Sequence, residues 1–368
     1  MITLPENYAS GLYSVGTETF SITDSERKEQ LGGGDEPRKI PVRMYYPADK
    51  SETAGKEKAR VFSERKLAAV GKAFHVRTMP AETLVADYYE GIPHAEGTFP
   101  LIVFSHGYNS YVEANTFLCI ELASHGYIVA SVGHAYEAVE NDYEDGSFDL
   151  YDKTINKKMY AQGVFKAIMA QNKLLKAKLT PEQAYERFRE FQNKHTPYIK
   201  GRLPEWRADA LCAVNELKAR YAEWLDFSNG IGASGHSLGG ALAYNLCRNN
   251  EEFVCGINID GGLFGDYENA APMTRPFFQI CCKENYNVET LPLLNTTAPV
   301  HYAVFGGMKH LGFTDAKFYL PKALSGKLDG LVMYKHLADI HIAFFDKYLK
   351  RVENISLSTG ERDGVLYQ

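Results

Sequence analysis

A serine hydroxyl becomes a competent nucleophile only when a histidine takes its proton and a carboxylate orients that histidine. Gly235-His236-Ser237-Leu238-Gly239 reads G-x-S-x-G. In that pattern glycines permit a turn too tight for side chains, and the serine stands clear of its surroundings. Asp260 directly follows the apolar run Val254–Ile259 and precedes Gly261-Gly262, so it belongs at a strand end. Asp266 competes for the acid role but lies deeper in the loop, and Asp315 comes after the best histidine. That histidine is His310, just beyond the run Val300–Phe305 and a Gly306-Gly307-Met308-Lys309 turn. His301 falls inside the strand, His336 and His341 fall on a terminal helix, and His236 is expected to point away from the base position. Acyl transfer also needs donors for an oxyanion. The backbone N–H of Leu238 is one expected donor. The other is the N–H of Tyr108, in the loop Ser105-His106-Gly107-Tyr108, where His106 is expected to order the loop.

These residues need a scaffold that brings separate strand ends together. Pro100–Ser105, Tyr127–Val132, Gly230–Ser234, Val254–Ile259, Pro276–Cys281 and Val300–Phe305 are short continuous apolar runs, as expected for parallel strands covered on both faces. Helical periodicity falls between them, over Glu113–His125, Arg207–Leu225, Gly240–Arg248 and Leu331–Lys350. Before them, Tyr13–Ile22 and Ile40–Pro47 alternate apolar and polar residues around a Gly32-Gly33-Gly34 turn, which predicts an antiparallel hairpin. Strands alternating with helices predict an α/β fold with a mostly parallel twisted sheet and helices on both faces. With the strand–Ser237–helix elbow and the order Ser, acid, His, this is the α/β-hydrolase fold. The whole of 1–368 is expected as one domain. Residues 50–98 are expected as a surface insertion, and 137–205 as a helical, cap-like insertion over the strand C-termini. Trp206 and Trp224, 18 residues apart, are placed on one face of the Arg207–Leu225 helix as packing residues.

Composition narrows the function classes. The 368 residues are 45% hydrophobic and 23% charged, with a net charge of −6. That charge gives no general attraction to nucleic acid or anionic membranes. The N-terminus has neither the basic nor the apolar region of a signal peptide, and no run is long enough to span a membrane. The six cysteines (Cys119, Cys212, Cys247, Cys255, Cys281, Cys282) lie in apolar patterns and are expected as free thiols of a cytoplasmic protein. No histidine or cysteine spacing suits a metal, and Gly32-Gly33-Gly34 lacks a phosphate-loop lysine. No cofactor is expected, and the expected partner is a small-molecule ester or phospholipid substrate.

Phe104-Ser105-His106-Gly107, Glu121–Ala130, Gly235–Gly240, Cys255–Gly261 and the His310-x-x-Phe313-x-Asp315 stretch together resemble the plasma-type platelet-activating-factor acetylhydrolases and their bacterial relatives. The Tyr45-Tyr46-Pro47 segment is also similar to theirs. The resemblance runs from about residue 40 to about residue 320 and is weakest over 50–98 and 140–200. It implies that Ser237, Asp260 and His310 form the triad, with Leu238 and Tyr108 at the oxyanion hole. It also implies calcium-independent hydrolysis of short or oxidised acyl groups at the sn-2 position of phospholipids. Here Gly261-Gly262 stands where the family tends to carry a bulky residue. The residues themselves leave two alternatives to a serine esterase: an amidase or peptidase on the same scaffold, and a non-catalytic binding protein.

Overall fold

The computed structural model describes residues 9–78, 80–161, 166, 169–170, 173–174, 177, 180–265 and 272–368. The principal strands are β1 (Ser14–Lys28), β2 (Pro37–Ala48), β3 (Phe99–Ser105), β4 (Ile128–Val132), β5 (Ile231–His236), β6 (Phe253–Ile259), β7 (Phe277–Cys282) and β8 (Val300–Phe305), followed by a C-terminal hairpin of β9 (Gly360–Arg362) and β10 (Val365–Tyr367). Across the sheet the order is β1, β2, β4, β3, β5, β6, β7, β8, β10, β9. Strands β3 to β8 pair in parallel. Strand β2 is antiparallel to both β1 and β4. This is the α/β-hydrolase sheet expected from the sequence.

The principal helices among the described residues are α1 (Glu64–Phe74), α2 (Thr116–Ser124), α3 (Pro181–His195), α4 (Pro197–Arg220), α5 (Leu238–Asn249) and α6 (Gly330–Tyr348). Alternation along the strands feeds two cores. Ile102 and Phe104 of β3 pack with Phe117, Leu337 and Phe344 from α2 and α6. Leu101 and Val103 pack with Trp206, Leu217 and Leu242 from α4 and α5. Both faces of the central strands are therefore sealed, which is why those strands read as unbroken apolar runs.

Three expectations change. Helix α4 starts ten residues before the expected Arg207 and ends at Arg220, its C-cap Tyr221 donating from its N–H to the Leu217 carbonyl. It continues through Pro204, a residue that removes a helix donor and usually marks a boundary. Trp224 therefore lies outside the helix and does not share its face with Trp206. Trp224 packs on Tyr46, His94 and Tyr221 instead. Segment 50–98 is partly internal: Val61, Phe62, Leu67, Val70, Leu84 and Tyr88 are all buried. Its apolar residues are scattered through turns and α1, so no periodic run announces them. Within 137–205, Glu140–Asp142 and Phe148–Leu150 form a small antiparallel hairpin ahead of the helices.

Candidate active site

Tight packing forces the turn after β5. Ser237 is held at φ 57°, ψ −121°, the cap of α5, a conformation that costs a non-glycine residue on the order of 1–3 kcal/mol. Its N–H donates to the Ile259 carbonyl at 2.9 Å. A Cβ at Gly239 would lie 2.0 Å from the Ser105 carbonyl oxygen, so only glycine lets α5 come so close to β3. A Cβ at Gly261 would lie 2.0 Å from the Ser237 carbonyl oxygen, which excludes a bulky residue at this position.

Ser237, Asp260 and His310 come from the ends of β5, β6 and β8, and their side chains meet. His310 Nδ1–H donates to Asp260 Oδ2 at 2.8 Å, and Nε2 accepts from the Ser237 hydroxyl at 2.9 Å. These partners fix the tautomer that a general base requires. Asp260 is buried, itself at positive φ (52°). Its Oδ1 accepts the Cys282 N–H at 2.6 Å, and Oδ2 also accepts the Asn285 side-chain amide at 3.0 Å. Burial alone would raise its pKa. The His310 hydrogen bond and charge, with the Cys282 N–H, outweigh burial and hold the carboxyl below its ordinary value.

Sequence reasoning missed the support behind this acid. Glu289 is buried and accepts from the Gln279 amide at 2.9 Å; Gln279 in turn accepts from Asn258 at 2.9 Å. Burial and then the nearby Asp260 charge push Glu289 well above the usual carboxylate range. His236 differs from expectation in detail. Its ring lies 4.7 Å from that of His310, and its Nε2–H donates to the His310 carbonyl at 3.0 Å. It braces the base without touching the serine. Burial, then the neighbouring His310, lowers its pKa to about 3.

The remaining histidines and acids are placed elsewhere. His301 bonds Tyr348, His336 bonds Tyr367, and His341 lies between Ser234 and the Leu337 carbonyl. Asp315 is buried and accepts the Phe117 N–H at the start of α2. Asp266 lies outside the described residues. The N–H groups of Leu238 and Tyr108 donate to no acceptor among the described residues. The Tyr108 loop lies against the serine: a Cβ at Gly107 would sit 2.9 Å from Ser237 Cβ. His106 Nδ1–H donates to the Gly107 carbonyl at 2.7 Å, ordering this loop.

A second, sealed relay anchors the same loop. The Ser105 hydroxyl donates to His134 Nε2 at 2.7 Å, and His134 Nδ1–H donates to Asp209 Oδ2 at 2.8 Å. All three are buried, with the His134 ring stacked 3.7 Å from that of Trp206. Arg38 closes the network, bonding both Asp209 oxygens and Glu29. Arg202 and the Trp206 indole both donate to Glu137. The Gln192 side chain of α3 accepts the Gly265 N–H at 2.8 Å, and Tyr151 packs edge-on to Tyr108.

With this geometry established, comparison with known proteins is direct. The model of the family described as platelet-activating factor acetylhydrolase, isoform II, matches residues 4–355. The chain belongs to that family. Within the acetylhydrolase family, the enzyme of Cavia porcellus is 26% identical over 300 residues, covering 73% of this chain and 62% of its relative. That of Bos taurus is 25% identical over 267 residues, covering 68% and 57%. The chain thus spans less than two thirds of the length of these relatives. Among solved structures, a ferulic acid esterase from Streptomyces cinnamoneus superposes with a TM-score of 0.74 at 18% identity, covering 100% of this chain and 98% of that one. That likeness establishes the fold. All six cysteines are free, and no helix among the described residues is long and apolar enough to cross a membrane.

Proposed function

We propose that the chain is a serine esterase that hydrolyses short-chain acyl esters through an acyl-enzyme. The observation that carries this reading is the continuous bonding from the Ser237 hydroxyl through His310 to Asp260. Ser237 Oγ attacks the acyl carbonyl while His310 Nε2 takes its proton. Asp260 holds the imidazole in the correct tautomer and stabilises the imidazolium. The N–H groups of Leu238 and Tyr108 receive the oxyanion, each donor worth roughly 10²–10³ in rate. His310 then protonates the leaving alcohol and activates the water that releases the acid.

The family membership, together with the names of the Cavia porcellus and Bos taurus relatives, supports acyl groups at the sn-2 position of phospholipids as substrates. Helix α3 and Tyr151, packed over the loops of the site, support 137–205 as a cap on a single α/β-hydrolase domain. Six free thiols suit a reducing compartment, the cytoplasm. The test is Ser237→Ala, assayed with p-nitrophenyl acetate and a fluorophosphonate probe. Turnover and labelling should both vanish while the thermal transition stays in place. Labelling that persists on the folded variant refutes the nucleophile assignment.

A further inference from the structure

Off the C-terminal ends of β7 and β8 lies a groove of about 760 Å³ lined by Lys283, Glu284, Met308, Lys309, Lys322 and Lys327. It opens at the end of the sheet where Ser237, Asp260 and His310 stand. Lys309 precedes His310, and Glu284 precedes Asn285, which donates to Asp260. All four lysines are exposed, and no carboxylate among the described residues pairs with them. In a chain of net charge −6, this is a local reversal of sign, and a concave wall of one charge concentrates ions of the other.

The groove is built rather than incidental. Met308 and Gly326 form an antiparallel bridge. The Lys327 N–H donates to the Gly307 carbonyl at 2.6 Å, and Lys309 Nζ donates to the Ala323 carbonyl at 2.8 Å. Behind the wall a fifth cation, the buried Lys317, donates to the Ser325 and Gly326 carbonyls. Burial first, and then the charge of Lys322, lower its pKa. With one carboxylate and no aromatic ring in its lining, the groove lacks what holds a quaternary ammonium.

We propose that this groove seats an anionic group, a carboxylate or phosphate, carried by the ester that reaches Ser237. The preferred substrates are then esters of net negative charge. The proposal rests on the esterase reading and adds the substrate's charge to it.

The test compares kcat/KM for neutral and anionic esters in the wild type and in the Lys322→Glu/Lys327→Glu double variant. The neutral esters are p-nitrophenyl acetate and valerate. The anionic ones are p-nitrophenyl hydrogen glutarate, charged on the acyl side, and 3-carboxy-4-nitrophenyl acetate, charged on the leaving group. An anionic ester at either end should be favoured about tenfold at about 20 mM salt, an advantage that shrinks at about 0.5 M. The double variant should lose it while keeping p-nitrophenyl acetate turnover. Equal treatment of neutral and anionic esters, or a preference the double variant retains, overturns the proposal. So does binding to phosphatidylserine vesicles, lost in the double variant, without ester discrimination. A wild-type chain inactive on every ester sinks the esterase reading instead. Calorimetry with inorganic phosphate then still decides the groove: saturable binding lost in the double variant supports it, and no binding overturns it.

Discussion

Replacing Asp260 with asparagine exchanges one oxygen for an amide, and three donors meet that exchange. Cys282 N–H points at one carboxylate oxygen, and the Asn285 amide and His310 Nδ1–H point at the other. Asparagine offers one acceptor oxygen, so one arrangement leaves the Cys282 N–H facing an NH₂ group. The other forces His310 to accept at Nδ1 and carry its proton on Nε2, where it can no longer take one from Ser237. Loss of the tautomer and of the charge that stabilises the imidazolium should lower kcat by about 10³–10⁴, or roughly 4–5.5 kcal/mol at 1.36 kcal/mol per decade. The unmet buried donor costs about 1–3 kcal/mol of stability, which moves Tm by a few degrees and leaves the variant folded. The measurements are p-nitrophenyl acetate turnover near neutral pH and a thermal melt of the same sample. A variant with a near-native melt that retains more than about a tenth of wild-type kcat refutes the role given to Asp260.

Other substitutions probe the scaffold. Gly261→Ala should abolish turnover and lower Tm, because the new methyl group would meet the Ser237 carbonyl at 2.0 Å; a native-like melt with full activity contradicts this packing. Arg38→Met leaves buried Glu29 without its cation and buried Asp209 with Arg27 alone, and should cost about 3 kcal/mol in chemical denaturation; a change under about 1 kcal/mol would count against the network. His341 is fully buried, and burial holds its pKa near about 4. Below the ordinary histidine value near 6.5 the unfolded chain gains a proton that the folded one refuses, so this contribution to stability is lost as pH falls from 6.5 toward 4. His341→Gln should flatten the pH dependence of stability there by about 1.4 kcal/mol per pH unit; an unchanged slope refutes the assignment.

The residues at strand ends were legible because apolar runs fix where strands stop, and Ser237, Asp260 and His310 each follow one. Tertiary contacts decided what was not. Arg38 shares strand parity with Ile40, Val42 and Met44, all buried, a signal that its side chain points inward. Its partners Glu29 and Asp209 lie 9 and 171 residues away, so no local pattern pairs them. The inward residues of 50–98 are isolated in turns, and β9 and β10 have three residues each, too few for an alternation to register. Asn285 and Glu289 escaped notice because their importance arises only once β6 and β7 lie side by side.

Among the described residues stand two serine–histidine–aspartate sets with nearly equal bond lengths; that of Ser237 opens to solvent and that of Ser105 is buried. Ser105 lies buried against His134, whose ring face is covered by the Trp206 indole of α4, so a phosphonate adduct found on it would report that this packing had opened, not that an ester had been cleaved. Peptide mapping of labelled protein across a denaturant series would thus read the reactivity of the open serine at position 237 and local opening at position 105 from one digest.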